Sequence, residues 1–202
     1  MKRLSRSLVM VTVPLVVGLG VGGVALFGAY AAKTHETLPT YGRVPAFALV
    51  DQDGRLVSRD TLHGSVWIAD FIFTRCAGQC PMMSAHMARL AATFSRDASV
   101  RLVSFTVDPD WDTPPVLARY AKAQGAAGTR WSFVTGDSAQ LRRLCQEGFQ
   151  LSAADGAGTP EEPIAHSVRL VLVDRQGIIR GYYDATDAAA VKRLVRDLRK
   201  LL

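Results

Sequence analysis

The longest apolar stretch of the chain covers residues 8–32, which contain no charged side chain. A helix of about 20 apolar residues is long enough to cross a bilayer. Lys2, Arg3 and Arg6 precede the stretch, and basic residues favour the cytoplasmic side of a membrane. We therefore expect a single-pass protein of the inner (cytoplasmic) membrane, with its soluble part on the periplasmic, extracytoplasmic side.

The domain organisation follows from this orientation. We predict a cytoplasmic basic flank at 1–7, a transmembrane anchor at 8–32, a tether at 33–44 and a folded domain at 45–202. A cleaved signal peptide is the alternative, because Ala29-Tyr30-Ala31 resembles a cleavage site. The apolar stretch is longer than the core of about 7–15 residues in such signals, which favours the anchor. In either case the domain is exported to a compartment where disulfides form.

Hydrophobic periodicity after the tether predicts strands that alternate with helices. Residues 66–73 are almost continuously apolar, which is typical of a central strand buried on both faces. The other predicted strands are 47–50, 56–57, 100–107, 131–134, 168–174 and 178–183, and the predicted helices are 81–95, 114–124, 137–147 and 187–202. Two pairs of strands are joined by short turns and form antiparallel hairpins. This order predicts an α/β, thioredoxin-like fold with an N-terminal transmembrane helix.

The charge distribution argues against one class of partner. The net charge is +6, and Lys2, Arg3 and Arg6 supply half of it. The remainder is spread along the domain, without a dense stripe of Lys and Arg interleaved with aromatic residues. Nucleic acid is therefore not an expected partner.

Two of the three cysteines, Cys76 and Cys80, lie between the strand predicted at 66–73 and the helix that Pro81 opens. A helix N-terminus favours negative charge, so we expect a cysteine there to ionise more readily, and the thiolate is both a nucleophile and a metal ligand. The three intervening residues allow a disulfide. The pair can instead bind a soft metal ion, copper(I) first and zinc second, with a third donor completing the site.

Four histidines are available as that third donor. His35 lies in the predicted tether, His63 precedes a connector glycine, and His86 lies well beyond the cysteines on the following helix. His166 follows a loop rich in Ala, Gly and Pro and immediately precedes a predicted strand, so it can reach the strand ends where the cysteines lie. We choose His166, and an ordinary solvated or core histidine is the alternative.

From about residue 45 to its end, the chain resembles the SCO/SenC family of copper-binding, thioredoxin-like proteins. The matching motifs are Asp51-Gln52-Asp53-Gly54, Phe73-Thr74-Arg75-Cys76 with Cys80-Pro81, Val107-Asp108-Pro109, Asp112-Thr113-Pro114, His166-Ser167, and Asp174 with Gly177. The resemblance implies that Cys76, Cys80 and His166 bind a copper ion. It also implies that the domain helps to assemble the CuA centre of cytochrome c oxidase, with the subunit that carries this centre as its partner.

The chain departs from the family pattern beside two of these residues. The family often has a proline and an acidic residue just after the first cysteine, where this chain has Ala77-Gly78-Gln79, and an aspartate before the histidine, where this chain has Ala165. The implied ligands themselves are present. Residues around a metal site can change its affinity about 10–100-fold, so copper loading or the partner served can differ from those of other members.

Two functions fit these residues. The first is a membrane-anchored copper chaperone that uses Cys76, Cys80 and His166 as ligands. The alternative is a thiol–disulfide oxidoreductase acting on cysteines of a partner, including those of the CuA site, with Cys76 as the attacking thiol and Cys80 as the resolving thiol. The three-residue gap disfavours the alternative, because the thioredoxin-type motif has two intervening residues. A purely structural disulfide would close too short a loop to stabilise the fold much.

Four further residues have structural interpretations. Asp108 and Asp112 are each followed by a proline within two residues, and we expect them to shape a loop and cap the next helix close to the site. Asp70, in an apolar strand, lies either at an interface edge or hydrogen-bonded within the core. Cys145 is expected to be a buried small hydrophobic residue.

Overall fold

An eight-stranded mixed sheet lies at the centre of the part of the chain that the structure describes. The structure is a computed structural model, and it describes residues 37–76, 78–151 and 167–202. The predicted anchor at 8–32 and His166 lie outside these residues. Among the helices described, none is long and apolar enough to cross a bilayer. The anchor therefore stays a prediction.

The strand order is β1-β8-β7-β4-β5-β6-β2-β3. The strands are β1 (Gly42–Arg43), β2 (Ala48–Asp51), β3 (Leu56–Ser58), β4 (Val66–Ile72), β5 (Val100–Thr106), β6 (Trp131–Thr135), β7 (Arg169–Val173) and β8 (Ile178–Asp184). The parallel pairs are β4 with β5 and β5 with β6, and the remaining neighbours are antiparallel. The helices are α1 (Arg59–Leu62), α2 (Cys80–Thr93), α3 (Pro114–Ala123), α4 (Ser138–Arg143) and α5 (Ala188–Arg199).

Both layers of the core pack on β4, whose seven residues are all buried. Side chains alternate between the two faces of a strand. Ile68 and Ile72 belong to a buried cluster that contains Met83 of α2. Trp67 and Phe71 belong to a second cluster on the other face of the sheet. The central strand predicted from its apolar sequence is therefore confirmed.

The two predicted hairpins and the starts of the main helices are confirmed as well. β2 pairs with β3 and β7 pairs with β8, both antiparallel. Gly54 makes the first turn with φ 76°, a conformation that glycine adopts without steric cost. Asp137 caps α4 by accepting from the Gln140 N–H at 2.7 Å, and Asp187 caps α5 by accepting from the Ala189 N–H at 2.7 Å.

The helix predicted over 137–147 changes its geometry part of the way along. Leu144–Gly148 forms a single π-helical turn, closed by the N–H of Phe149 donating to the carbonyl of Leu144 at 2.8 Å. The wider turn delivers Phe149 to the core, where its ring centroid lies 5.3 Å from that of Phe71. Helical periodicity predicts the helix but not this change, because the tertiary position of one aromatic ring sets it.

Strand β1 lies within the segment predicted to be a tether. Gly42 is opposite Ile179 of β8, and the side chain of Val44 is fully buried. The last residues of that segment therefore belong to the sheet. A strand of two residues is too short for a periodic pattern to reveal.

Candidate metal and thiol site

The cysteines lie where β4 ends and α2 begins. The N–H of Cys76 donates to the carbonyl of Phe73 at 3.2 Å, which turns the chain after the strand. Gln79, at the cap position of α2, makes no side-chain capping bond. Instead, the N–H of Cys80 donates to Sγ of Cys76 at 3.4 Å. The sulfur of one cysteine thus caps the helix that begins with the other, and the two predicted site residues are neighbours in space.

Burial makes the two cysteines unequal. Cys76 is 8% exposed, and Cys80 is fully buried at the start of α2. Burial raises the pKa of the Cys80 thiol well above its usual range, and the hydrogen bond with Cys76 raises it further. The prediction of easier ionisation is therefore wrong for Cys80, because its buried thiol lacks the hydration that a thiolate needs. Cys80 must give up a proton when its sulfur binds a metal ion.

The carboxylate of Asp112 fixes the segment that leads into Cys76. Asp112 is fully buried. It accepts hydrogen bonds from the backbone N–H of Thr74 at 3.1 Å, from the Thr74 hydroxyl at 2.5 Å and from the Thr106 hydroxyl at 2.5 Å. These bonds connect the cysteine segment to the end of β5. The prediction that Asp112 shapes a loop close to the site is confirmed, whereas Thr113 takes the cap position of α3 and makes no side-chain capping bond.

The second aspartate of this loop makes an ion pair at the surface. Arg75 Nη2 donates to Asp108 Oδ2 at 2.6 Å, and the Asp108 side chain is only 12% exposed. The guanidinium of Arg75 also lies 4.5 Å from the ring centroid of Trp111. The sequence singled out neither Arg75 nor Trp111 as a functional residue, since only the folded loop brings them together beside Cys76.

Asp70 lies on β4 on the face that α2 covers, and it is fully buried. Its Oδ1 accepts from the Ser104 hydroxyl at 2.5 Å, and Ser104 in turn accepts from the indole N–H of Trp131 at 2.8 Å. Its Oδ2 has no hydrogen-bond partner among the described residues. Burial raises the pKa of Asp70 to about 7, and the charge of Asp70 contributes to the raised pKa of Cys80. Of the two interpretations made from the sequence, the hydrogen-bonded core residue is confirmed.

None of the other histidines and cysteines that the structure describes lies beside Cys76 and Cys80 in a metal site. His166, the predicted third ligand, lies outside the described residues, and within those residues no three His, Cys, Asp or Glu side chains form a cluster suited to a metal ion. His86 is partly buried on α2, and burial lowers its pKa. His63 is exposed before the start of β4, at the end of the strand opposite the cysteines. Cys145 is partly buried against the core cluster on the other face of the sheet. The assignment of His166 stays a prediction.

Replacing Asp112 should destabilise the fold through the cysteine segment. Asp112→Ala removes the acceptor of three hydrogen bonds in a buried place, and hydrogen bonds to charged groups contribute about 1.5–3 kcal/mol each. We expect the free energy of unfolding of the reduced, metal-free protein to fall by at least about 2 kcal/mol in urea titrations. The neighbouring Thr113→Ala, at an exposed position, should change it by less than about 0.5 kcal/mol. Equal losses in the two variants would contradict this role of Asp112.

Asp70 should make stability depend on pH. Its folded pKa of about 7 lies above the 3.8 of an unperturbed aspartate, so the folded state binds the proton more tightly than the unfolded state. This contribution to stability is complete below about pH 4 and is lost as the pH rises to about 7. The free energy of unfolding of the wild type relative to Asp70→Asn should therefore fall over this range, by at most about 1.4 kcal/mol per pH unit. If the free energy of unfolding depended on pH in the same way in both proteins, Asp70 would not be a buried carboxyl that titrates in this range.

The amino-acid sequence is similar to a family model and to several known proteins. A model of the SCO1/SenC family matches residues 36–202. The SCO1 protein homolog of Bacillus subtilis (strain 168) is 30% identical over 184 residues, which make up 90% of this chain and 94% of that protein. A protein of Stutzerimonas stutzeri, named as a candidate copper-binding protein, is 32% identical over 151 residues, or 73% of this chain and 72% of its own length.

Solved structures show the same fold. BsSco, described as a member of the Sco family of cytochrome c oxidase assembly proteins with a disulfide switch, aligns with a TM-score of 0.70 and 29% identity over 82% of this chain and 98% of its own. ScoI of Bradyrhizobium japonicum, solved with copper bound, aligns with a TM-score of 0.66 and 22% identity over 79% of this chain and 99% of its own. The predicted α/β, thioredoxin-like fold is thereby confirmed, and copper is a metal that SCO proteins bind. Since the family model covers the described domain and the Bacillus homologue aligns over most of both chains, this protein belongs to the SCO/SenC family.

Proposed function

We propose that this protein is a membrane-anchored copper chaperone that helps to assemble the CuA centre of cytochrome c oxidase. One observation carries the proposal: the sulfur of Cys76 lies 3.4 Å from the backbone nitrogen of Cys80 at the start of α2, in a member of the SCO/SenC family. Adjacent sulfurs suit a soft ion such as copper(I). The small exposure of Cys76 limits contact of the ion with water but leaves one side of the pair within reach of a partner.

The register of the sheet supports His166 as the third ligand. β7 runs antiparallel to β4, with Val171 opposite Ala69. The N-terminal end of β7 therefore lies beside the C-terminal end of β4, where the cysteine segment begins. Only two residues separate His166 from the start of β7 in sequence, so a short reach from this strand end would suffice. An imidazole beside two thiolates gives a mixed donor set that can hold copper(I) and also accept copper(II).

In the proposed cycle, copper is the cargo. The thiols of Cys76 and Cys80 release their protons as the ion binds. The ligands of the acceptor then replace these donors one after another, and the sulfurs take up protons again as the ion leaves. Residues 8–32 hold the domain at the periplasmic face of the inner membrane, beside the membrane-bound oxidase subunit that carries the CuA site.

Copper titration of variants tests the ligand set. We expect the full chain in detergent, reduced and without oxygen, to bind one copper(I) ion in competition with a chelator. Cys76→Ser, Cys80→Ser and His166→Ala should each weaken binding at least about tenfold, since even residues behind the ligands change affinity that much. Cys145→Ser is the matched control and should bind as the wild type does. Unchanged affinity in both Cys80→Ser and His166→Ala would overturn the assignment.

The unequal exposure of the cysteines favours thiol–disulfide exchange as a second candidate function. Cys76 is the more accessible thiol, and Cys80 lies fully buried behind it. A thiolate at Cys76 would attack a partner disulfide, form a mixed disulfide and release the first partner thiolate. Cys80, after losing its proton, would attack the sulfur of Cys76 and release the second. The partner disulfide is thereby reduced to two thiols, while the Cys76–Cys80 pair is oxidised to a disulfide.

Exchange with a disulfide-bonded peptide that carries the CuA-site cysteines separates the two functions. Cys76→Ser should abolish reduction of the peptide, whereas Cys80→Ser should stop at a mixed disulfide that mass spectrometry detects. His166→Ala should reduce the peptide at the wild-type rate although its copper binding is weakened. Failure of the wild type to reduce the peptide would remove this second function and leave the copper proposal standing.

A further inference from the structure

Trp111 exposes a large aromatic surface beside the cysteines. Four large apolar side chains in the described part of the chain are exposed, and they are Tyr41, Leu56, Trp111 and Leu202. Trp111 is 51% exposed in the loop between β5 and α3. Its ring contacts Arg75, the residue that precedes Cys76, so the aromatic surface adjoins the site. A tryptophan left half in water on a folded domain indicates an interaction surface more than a packing role.

The structure holds Trp111 in place from two sides. Its backbone N–H donates to the carbonyl of Asp108 at 3.2 Å, and the next residue, Asp112, is anchored in the core. The guanidinium of Arg75 stacks 4.5 Å from the ring centroid and is itself held by the ion pair with Asp108. A side chain that is already fixed loses little conformational entropy when a partner covers it. Trp111 therefore has the properties of a rigid binding anchor.

Among the described residues, the cysteine segment and the loop of Trp111 carry little net charge. Gly78, Gln79 and Pro81 are exposed and uncharged. The charge of Arg75 is balanced by Asp108, and Asp110 adds one exposed carboxylate. A surface of this kind fits an apolar patch on a partner better than a strongly charged one. It suits a lipid bilayer poorly, because no other exposed large apolar side chain lies in this loop and no cluster of basic residues accompanies Trp111 among the described residues.

Transfer of a copper ion from the two cysteines requires a partner to contact this surface. Cys76 is 8% exposed and Cys80 is fully buried, so an acceptor can take over the ion only when its own ligands press against the cysteine segment. We propose that Trp111, held by Arg75, is the docking anchor for the protein that receives copper from Cys76 and Cys80, and that an apolar patch beside the acceptor's metal ligands packs on its ring. This inference rests on the proposed copper transfer and adds where the acceptor binds.

The rate of copper transfer to the soluble CuA domain of the oxidase tests the docking anchor. The full chain in detergent is loaded with copper, and transfer is followed over a range of acceptor concentrations. Trp111→Ser should raise the acceptor concentration for half-maximal rate by about tenfold or more, with the maximal rate and the copper affinity unchanged. Trp111→Phe, which keeps an aromatic ring, should recover part of the loss. Arg75→Gln, which removes the stacking cation, should give a smaller effect of the same kind.

Leu56→Ser is the matched control, because Leu56 is 60% exposed on β3, away from the cysteine segment. It should transfer copper as the wild type does. If the transfer rate of Trp111→Ser depended on acceptor concentration as that of the wild type does, the docking anchor would be overturned. The copper proposal would stand. A wild type that binds copper but does not load the CuA domain would overturn the acceptor named in both proposals. Loss of self-association in Trp111→Ser, without a change in transfer, would also overturn the anchor.

Discussion

The site depends on the buried carboxylate of Asp112. Its hydrogen bonds with Thr74 and Thr106 hold the segment before Cys76 against the end of β5. A buried carboxylate is costly unless its oxygens are hydrogen-bonded, and here both oxygens are used. The cysteine segment is therefore tied to the end of the sheet as well as held by the bonds that Cys76 and Cys80 make within the loop. This explains how a loop that contains Gly78 and Gln79, both exposed, can still present two sulfurs close together.

The burial of Cys80 disfavours a thiolate at this position in the metal-free protein. Full burial favours the neutral thiol, and together with the hydrogen bond with Cys76 it raises the pKa of Cys80. Asp70 lies in the same apolar layer with a raised pKa of its own, so the interior beneath the cysteines disfavours negative charge. In the proposed complex, a positive ion bound by two thiolates would offset this penalty. The burial that makes Cys80 a poor free nucleophile also suits the soft cation that we propose the pair to bind.

Sequence patterns predicted the framework because the framework depends on local and periodic features. The apolar run of β4, the Asp-Gly turn and the capping residues Asp137 and Asp187 each act within a few residues of themselves. The features that the sequence did not predict depend on distant partners. β1 is a strand because it pairs with β8, and the π-helical turn leads into Phe149, which packs in the buried cluster. The proximity of Arg75 to Trp111 likewise requires the folded loop, since 35 residues separate them in the sequence.

Three consecutive residues combine the tasks of this site. Thr74 bonds to Asp112, Arg75 stacks on Trp111, and Cys76 presents its sulfur to Cys80. Because adjacent residues of an extended or turning chain point in different directions, one short segment can face the core, the surface and the neighbouring cysteine at once. A partner that covers Trp111 then meets the backbone segment that carries the accessible sulfur. The proposed docking residue and the cysteine pair are thereby held close together, and the buried carboxylate of Asp112 fixes the segment that connects them.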